Sequence, residues 1–552
     1  MGVERGAGHD RSGSGRSPPL DRALRAAMSG RLLAATLGVL LLALATPGLA
    51  KASRQVATRA DAAAALRRVE ALFEPGGGSA HDPTLALRDL VLALPRLGPE
   101  QRARAQVLLD RPDDPAGSRR GQVRYTVPST YFCAAHFCIH YVRTTVDAPP
   151  PRDDNGNGTP DWVETTASVL EFIWTKEVGE FGFRAPKEDL ALANHGPDAR
   201  FDVYLAEIVD RGVLGFCAPE PPQNYGFWDV PGYCVLDNDY SAAQINAPGL
   251  GGRLELELTA VHEFFHAIQF AYDYGEDPWL LEGTATWVED AVYSRVHEPY
   301  RRFPYSALRQ PEIPVDSYSA TLPYQYGAWV FWRFLEELLA PRQTRVDPGV
   351  IRRVWEWADG SPGAPDYYSL QAAEATLRER GIRFRPAFLT FALANFMPAS
   401  FYREGSSWPA APLSRSTGLT GKRRTTGMRS FLLDHLTSRY VALAPGDGIA
   451  RRARLSLTVD LPPLATGSEA AVVVFSRSGR ADSRPIRLSS SGDATVTVAF
   501  GRRAVSRVVL VLTNASNRFF CRGVSVSAFS CGGRPQDDDR PYRYRATVRG
   551  SR

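Results

Sequence analysis

The chain has 552 residues, a formal net charge of +5, 44% hydrophobic residues and 23% charged residues. This length exceeds the size at which one hydrophobic core keeps growing, so two folded domains are expected. The composition excludes a disordered, collagen-like or multi-span membrane chain. The arginines are scattered, without a basic run interleaved with aromatic residues, so nucleic acid is not an expected partner.

The first fifty residues predict secretion. Residues 28–50 begin at Met28 and carry a positive charge at Arg31. An apolar run of about 14 residues follows, and the segment ends in small residues. This is the pattern of a secretory signal peptide. The run is short for a membrane span, so no stable span is expected after cleavage; an uncleaved short anchor is the alternative. Residues 1–27 are interpreted as a disordered extension, or as sequence ahead of a true translation start at Met28.

Residues 51–120 predict a small helical segment. Apolar residues recur at spacings of three and four in ADAAAALRRVEALF, LALRDLVLALPRL and PEQRARAQVLL, which is typical of amphipathic helices of about 12 residues. Three such helices cannot bury their apolar faces alone.

The six cysteines agree with secretion. They fall as three neighbouring couples: Cys133 with Cys138, Cys217 with Cys234, and Cys521 with Cys531. An even number in an exported chain predicts disulfides, here three local ones, although six cysteines allow 15 pairings. No CxxC spacing occurs, so a cysteine-based zinc site is not expected.

The stretch DDNGNGTPDWVE at residues 153–164 matches the loop of an EF-hand. Glycine occupies position 6, and oxygen ligands are available, one of them a backbone carbonyl, from Asp153, Asn155, Asn157, Thr159, Asp161 and Glu164. Hard cations prefer such oxygens, so we expect a structural calcium site. Prolines at 149–151 replace the incoming helix of an EF-hand, and a plain Asn/Gly turn is the alternative.

Residues 121–425 predict an α+β domain, with strands first and a helical half after. Strands are expected at QVRYTV, CIHYVRTTV and RFDVYLAEIV. Helices are expected at TASVLEFIWTKEV, LELTAVHEFFHAIQFAY, LLEGTATWVEDAVY and YGAWVFWRFLEELL. Residues 426–552 contain short stretches of alternating or β-branched apolar residues, separated by turns rich in Gly, Pro, Ser and Asp. This pattern predicts a β-sandwich.

One predicted helix carries a metal-binding pattern. His262, Glu263 and His266 form an HExxH motif, and residues four apart share one face of a helix. Both imidazoles can therefore bind one ion, with Glu263 beside it as a general base. The flanking residues are apolar, so this helix is expected to be buried.

A catalytic zinc site needs a third protein ligand and one open position. Glu282, in WLLEGTATWVED, can supply it, because it lies near the start of a second apolar helix after the turn at Asp277–Pro278. Glu289 lies seven residues later on the same face. There it is expected to accept a hydrogen bond from a ligand imidazole.

These two motifs resemble those of the gluzincin metallopeptidases, which combine HExxH with a downstream Glu. The chain is most similar to a group of secreted bacterial metalloprotease-like proteins with a pro-like helical region and a C-terminal β-domain. The resemblance implies a gluzincin-like domain that binds zinc through His262, His266 and Glu282, followed by the β-sandwich. The aminopeptidase pattern GxMEN does not occur, so an endopeptidase is expected rather than an aminopeptidase.

The resemblance also implies the chemistry. Glu263 would take a proton from a metal-activated water and pass it to the leaving amine of a protein or peptide substrate. Tyr326 or Tyr324 could donate to the oxyanion, although a Tyr packed at a helix start is the alternative for each. Residues 51–120 are either a removable pro-segment or a permanent cap.

A different class of function is the alternative. On the same scaffold, the protein would be a non-catalytic secreted binding or adhesion protein. In the peptidase, the β-domain is expected to bind substrate, or a cell surface or matrix; in the alternative, it serves adhesion together with the gluzincin-like domain.

Overall fold

The computed structural model describes residues 58–72, 83–114, 123–222, 227–245, 251–319, 321–341, 343–344, 346–521 and 528–550. Within these residues the chain is a mixed α+β protein, as predicted. The expected signal peptide and the extension before it lie outside the described residues.

Three short helices open the described chain. They are α1 (Arg59–Leu72), α2 (Pro83–Ala93) and α3 (Pro99–Leu109), and they follow the predicted amphipathic stretches. Pro83 and Pro99 stand at the first helical position, where an N–H would have no intrahelical partner. The apolar faces of these helices join the main hydrophobic core, so α1 to α3 are packed on the next domain.

A five-stranded sheet forms the first layer of that domain. Its strands are β1 (Thr130–Cys133), β2 (Phe137–Tyr141), β3 (Phe201–Ala206), β4 (Gly215–Pro219) and β5 (Gly232–Asp237). Their order is β1-β2-β3-β5-β4, with β2, β3 and β5 parallel and the two outer strands antiparallel. β4 is therefore an edge strand.

The strand predicted at QVRYTV is wrong. Its described residues, 123–127, are irregular. The Tyr125 side chain is buried, and its hydroxyl donates to the carbonyl oxygens of His140 at 3.0 Å and Leu205 at 2.8 Å. Side-chain anchoring thus buries Tyr125 without strand pairing, which shows how strongly strand propensity depends on context.

Helices make the second half of the domain. α4 (Asp161–Trp174) continues into a π-helical turn (Thr175–Glu180). α5 (Arg253–Asp273) and α6 (Pro278–Val292) carry the two predicted motifs. α5 is buried on almost all sides, as expected of a helix that is apolar all round.

Further helices follow α5 and α6. A 3-10 helix (Glu298–Tyr305) precedes α7 (Tyr324–Gly327) and α8 (Trp329–Leu339), a stretch that the sequence predicts as one helix. The helices that follow are α9 (Gly349–Ala358), α10 (Leu370–Glu379), α11 (Phe384–Phe396) and α12 (Pro398–Phe401).

The last part of the chain is rich in strands. These are β6 (Arg415–Leu419), β7 (Arg429–Leu433), β8 (Thr437–Pro445), β9 (Arg454–Asp460), β10 (Ser468–Ser476), β11 (Ala481–Pro485), β12 (Asp493–Ala499), β13 (Val505–Asn514), β14 (Phe519–Phe520), β15 (Arg534–Pro535) and β16 (Arg540–Arg549). One sheet has the order β11-β10-β13-β8-β6, another β12-β9-β16-β7, and β14 pairs with β15. Since β6 pairs with β8, the β-rich part begins ahead of residue 426.

Two hydrophobic clusters organise these sheets. One contains buried side chains from both large sheets, so those sheets share a core. The other joins the opposite face of β8, β10 and β13 to α11. The β-rich part is thus packed against the helical half through an apolar layer.

The three predicted disulfides are confirmed. The structure joins Cys133 to Cys138, Cys217 to Cys234, and Cys521 to Cys531. Disulfides are typical of an oxidising compartment. Within the described part of the chain, no helix combines the length and the apolar character that a membrane crossing needs.

Candidate metal centre

The two motif helices bring His262, His266 and Glu282 together. Nε2 of His262 lies 3.3 Å from Oε2 of Glu282, and Nε2 of His266 lies 3.3 Å from Oε1 of the same carboxylate. The side chains of His266 and Glu282 are each 1% exposed, and that of His262 is 12% exposed. The predicted trio therefore converges in the protein interior, with its most open side at His262.

The spacing of these donors fits a small tetrahedral ion. One ligand atom from each of the three residues lies within 4.8 Å of the other two. An ion about 2.0 Å from each donor holds tetrahedral donors about 3.3 Å apart. The Glu282 carboxylate lies at that distance from each imidazole, through Oε2 for His262 and through Oε1 for His266. Two imidazoles and a carboxylate are also a donor set that zinc accepts.

Each imidazole is oriented through its second nitrogen. Nδ1 of His262 lies 2.7 Å from Oε1 of Glu289, as the sequence predicts. Nδ1 of His266 lies 2.7 Å from Oε1 of Gln269, whose amide donates to the Leu281 carbonyl and to the Thr284 hydroxyl of α6. These contacts direct both Nε2 atoms toward Glu282.

The two histidines differ in their electrostatics. Burial lowers the pKa of His266 to about 4, so its ring is neutral at neutral pH and can offer a lone pair. Burial also opposes the charge on His262, but hydrogen bonds and charges from Glu282 and Glu289 outweigh it and raise the pKa of that imidazole. A metal ion at Nε2 of His262 would replace a proton there.

Glu263 lies beside the trio and contacts the N-terminal helices. Burial raises the pKa of its carboxyl group to about 7. Its Oε2 accepts a hydrogen bond of 3.0 Å from the hydroxyl of Thr84, on α2. Sequence reasoning missed Thr84, since the contact joins residues 179 positions apart and no local pattern marks it.

The two candidate tyrosines separate in the structure. The ring of Tyr326 lies 6.0 Å from that of His262, under the guanidinium of Arg302 at 5.0 Å. Tyr324 instead donates to Oε1 of Gln310 at 3.3 Å. Tyr326 is therefore the tyrosine that borders the centre, and Arg302 is a neighbour that the sequence did not indicate.

Glu177 is a further residue that sequence reasoning missed. It lies in the π-helical turn and is fully buried, and neither of its carboxylate oxygens has a hydrogen-bond partner among the described residues. Burial raises the pKa of this carboxyl group, and the nearby His262 opposes the shift. A π-helical turn is often found at functional sites, but the sequence carries no mark of this one.

A second group of metal-binding residue types lies at the far end of α6. Donor atoms of Asp290, His297 and Glu404 fall within 4.8 Å of one another. Asp290 forms an ion pair with Arg333, and Glu404 accepts a hydrogen bond of 2.6 Å from the Tyr300 hydroxyl. Both carboxylates thus already serve in packing contacts, and the adjacent guanidinium disfavours a cation.

The predicted calcium loop closes on itself. Asn155 and Asn157 donate to the two carboxylate oxygens of Glu164 at 2.9 and 2.6 Å, and Asp153 accepts from the amides of Asn157 and Gly158. The Asp161 carboxylate accepts a hydrogen bond from the backbone amide of Asp154. Side chains at loop positions 1, 3, 5 and 12 therefore converge around an exposed centre.

The comparisons with known proteins add no assignment. No family model matches the chain, and no curated protein matches it. One similar solved structure is CorA, a surface-associated copper-binding protein important in Methylomicrobium album BG8 copper acquisition; the TM-score is 0.15 at 8% identity, over 25% of this chain and 98% of that chain.

Another similar structure is a family GH115 4-O-methyl-α-glucuronidase with specificity for decorated arabinogalactans. The TM-score is 0.14 at 8% identity, over 67% of this chain and 54% of that chain. Likenesses this weak carry no argument about fold or function.

Proposed function

We propose that the protein is a secreted zinc-dependent metalloendopeptidase, with a gluzincin-like domain followed by a β-sandwich. The observation that supports this most is the Glu282 carboxylate, which lies 3.3 Å from Nε2 of both His262 and His266. Three protein donors leave one position of a tetrahedral ion open for water or substrate. The two large β-sheets with a shared core suit the proposed sandwich.

The chain supplies the acid and base of the proposed reaction. A zinc ion held by His262, His266 and Glu282 would polarise the peptide carbonyl and lower the pKa of a bound water. Glu263 follows His262 on the same helix, and its carboxyl pKa of about 7 suits a group that accepts a proton at neutral pH and gives it back. It accepts the proton of the attacking water and donates it to the leaving amine.

Neighbouring residues position these groups. Glu289 and Gln269 fix the imidazole rings through their Nδ1 atoms. Tyr326, whose ring lies 6.0 Å from that of His262, is proposed to donate its hydroxyl to the developing oxyanion. Arg302, over the face of that ring, adds positive charge on the same side.

The loop at residues 153–164 is proposed to bind calcium and to stabilise the start of α4. Its observed hydrogen bonds already gather oxygen atoms from Asp153, Asn155, Asn157 and Glu164. With Asp161 and the Thr159 carbonyl, they would complete the oxygen ligands of a hard cation.

The test of peptidase function compares the wild-type chain with Glu263→Gln. Both are incubated for hours with casein and with internally quenched peptides carrying acetylated N-termini. Loss of the base should lower kcat/KM by about 10²- to 10⁴-fold, with zinc still bound at one ion per chain because its ligands are unchanged. Glu257→Gln is the matched control, since Glu257 lies on the same helix but pairs with the exposed Arg253.

Three outcomes would contradict the proposal. Measurable hydrolysis that is equal in wild type and Glu263→Gln would remove Glu263 from the chemistry. Absence of stoichiometric zinc in the purified protein would remove the metal. Hydrolysis only of peptides with a free N-terminus would make the protein an aminopeptidase.

A further inference from the structure

We propose that the N-terminal helices α1 to α3 are an intramolecular inhibitor that holds the catalytic base and the adjacent sheet edge until α2 is displaced. This inference rests on the proposed peptidase function and concerns how that site is regulated. It decides between the two interpretations of residues 51–120 in favour of a segment that blocks the site.

The first observation is the position of strand β4. It is the last strand of the first sheet, so its outer edge faces away from β5. It also runs directly beside the motif helix: a Cβ atom at Gly215 would lie 2.7 Å from Cγ2 of Thr259 and 3.1 Å from Cγ of Glu263. An open sheet edge next to the base is where an extended peptide could pair with the backbone.

The second observation is that α2 occupies this edge. The backbone N–H of Cys217, in β4, donates to the hydroxyl of Thr84 at 3.0 Å. The same hydroxyl donates to Oε2 of Glu263 at 3.0 Å, and both hydrogen bonds are buried. One side chain of α2 therefore engages both the sheet edge and the base.

The third observation is that α2 is also anchored to the turn between the two motif helices. Arg88, 4% exposed, donates to the Glu276 carbonyl at 2.8 Å, in the turn between α5 and α6. The contact holds the middle of α2 against that turn. α2 thus contacts the catalytic domain at both Thr84 and Arg88.

The fourth observation concerns the end of the helical unit. Arg111, just after α3, is 2% exposed and pairs with Asp189, Asp202 at 2.6 Å and Glu220 at 2.9 Å. A buried cation shared among three carboxylates is costly to separate from them. The helices are therefore held in place, and their release needs a specific event such as cleavage within the chain.

The functional consequence follows from geometry. A general base must come within about 2.6–3.2 Å, directly or through one water, of the proton it takes. Oε2 of Glu263 is instead bonded to Thr84, and Glu263 is 8% exposed. A peptide cannot lie along β4 beside Glu263 while α2 is there.

The experiment uses full-length chains with Thr84→Val, Arg88→Met and both changes. The valine keeps the shape of Thr84 and removes its hydroxyl. Thr376→Val is the matched control, because Thr376 is also buried and its hydroxyl donates to the Ala372 carbonyl one helical turn away, at 3.0 Å. The readouts are hydrolysis of an acetylated quenched peptide and amide hydrogen exchange of β4, which requires no catalysis.

We expect Thr84→Val to raise kcat/KM at least about tenfold, the change that loss of one hydrogen bond to a charged group produces. The double variant should rise further, and the amide of Cys217 should exchange faster in both. Thr376→Val should match the wild type in both readouts.

The contrary outcomes separate this inference from the proposed function. If wild type and all variants hydrolyse the peptide at the same measurable rate, the inhibitor proposal is overturned and the peptidase proposal stands. The same conclusion follows if β4 exchange is unchanged in Thr84→Val and in the double variant. If zinc-loaded variants with accelerated β4 exchange remain as inactive as their Glu263→Gln counterparts, both are overturned.

Discussion

The two histidines of the centre are held by different kinds of partner. Glu289 gives His262 a carboxylate, whereas Gln269 gives His266 a neutral amide that is itself bonded to α6. A carboxylate partner raises the basicity of an imidazole ligand. His262 should therefore depend more on its partner for metal affinity.

Replacement of this partner should weaken the metal site without removing a ligand. Glu289→Ala is expected to lower zinc affinity by about 10- to 100-fold, as measured by competition with a chromogenic chelator. Glu257→Ala, a change at an exposed ion pair on α5, should leave the affinity as in the wild type. Equal affinities for Glu289→Ala and wild type would show that the hydrogen bond at Nδ1 has no effect on the ion.

Gly283 illustrates how one residue sets the distance between elements. It follows the ligand Glu282 on α6, where a Cβ atom would lie 2.5 Å from Nε1 of Trp332 and 3.2 Å from Cβ of Ala328. Glycine is therefore required by the close approach of α8 to α6. The EG pair of the motif reflects packing as well as metal binding.

Gly283→Ala should force α8 away from α6. Overpacking of this kind costs about 1–3 kcal/mol, so the midpoint of urea unfolding should fall by a corresponding amount. Gly418→Ala is the control, since a Cβ atom there meets nothing within 4 Å. An unchanged midpoint for Gly283→Ala would mean that the two helices can move apart freely.

The loop at residues 153–164 allows a test at the scale of one element. Calcium should stabilise the wild type by about 2.7 kcal/mol at a concentration 100-fold above Kd, seen as a rise in Tm. Glu164→Gln removes a charged ligand at position 12 and should abolish most of this rise. Asp154→Asn, at a loop position that pairs with Arg152, should retain it. A Tm that does not respond to calcium would show the loop to be a plain turn.

At the scale of the whole molecule, the β-rich part is joined to the helical half by a buried charge cluster. His435 lies between Asp316, at 2.9 Å from Nε2, and Asp538, at 2.6 Å from Nδ1. Asp316 also accepts from the amide and hydroxyl of Ser530, next to the Cys521–Cys531 disulfide. Burial opposes charge on His435, but the two carboxylates outweigh it and raise its pKa to about 9.

This cluster should make stability depend on pH. A histidine whose pKa is raised in the folded state stabilises fully below its unfolded pKa of 6.5 and loses that contribution as pH rises through about 9. The loss is on the order of 3 kcal/mol. The wild type should therefore lose stability in urea between pH 6.5 and 9, whereas His435→Gln should be less stable at pH 6 and lack this slope. The exposed His297→Gln should keep it.

The sequence by itself determined the features that depend on short spacing. The HExxH pair and the loop at 153–164 involve residues within twelve positions, where helix and turn geometry determines which side chains meet. The disulfides were predicted from the nearness of the cysteines in the chain, among 15 possible pairings. Glu282 followed from the second predicted helix together with the family resemblance, and Glu289 from its position seven residues later on the same helical face. The strand prediction at QVRYTV failed because hydrogen bonds of the Tyr125 side chain, not strand pairing, anchor this segment.

Only the tertiary structure decided what surrounds these motifs. Thr84 reaches Glu263 across 179 positions, Tyr326 rather than Tyr324 borders His262, and His435 meets Asp316 across 119 positions. The choice among such distant pairs depends on how whole layers pack, since loop closure and burial of the entire core select it. The periodicity of the sequence does not specify which distant residues meet. The contact of α2 with Glu263 is therefore seen only in the folded chain.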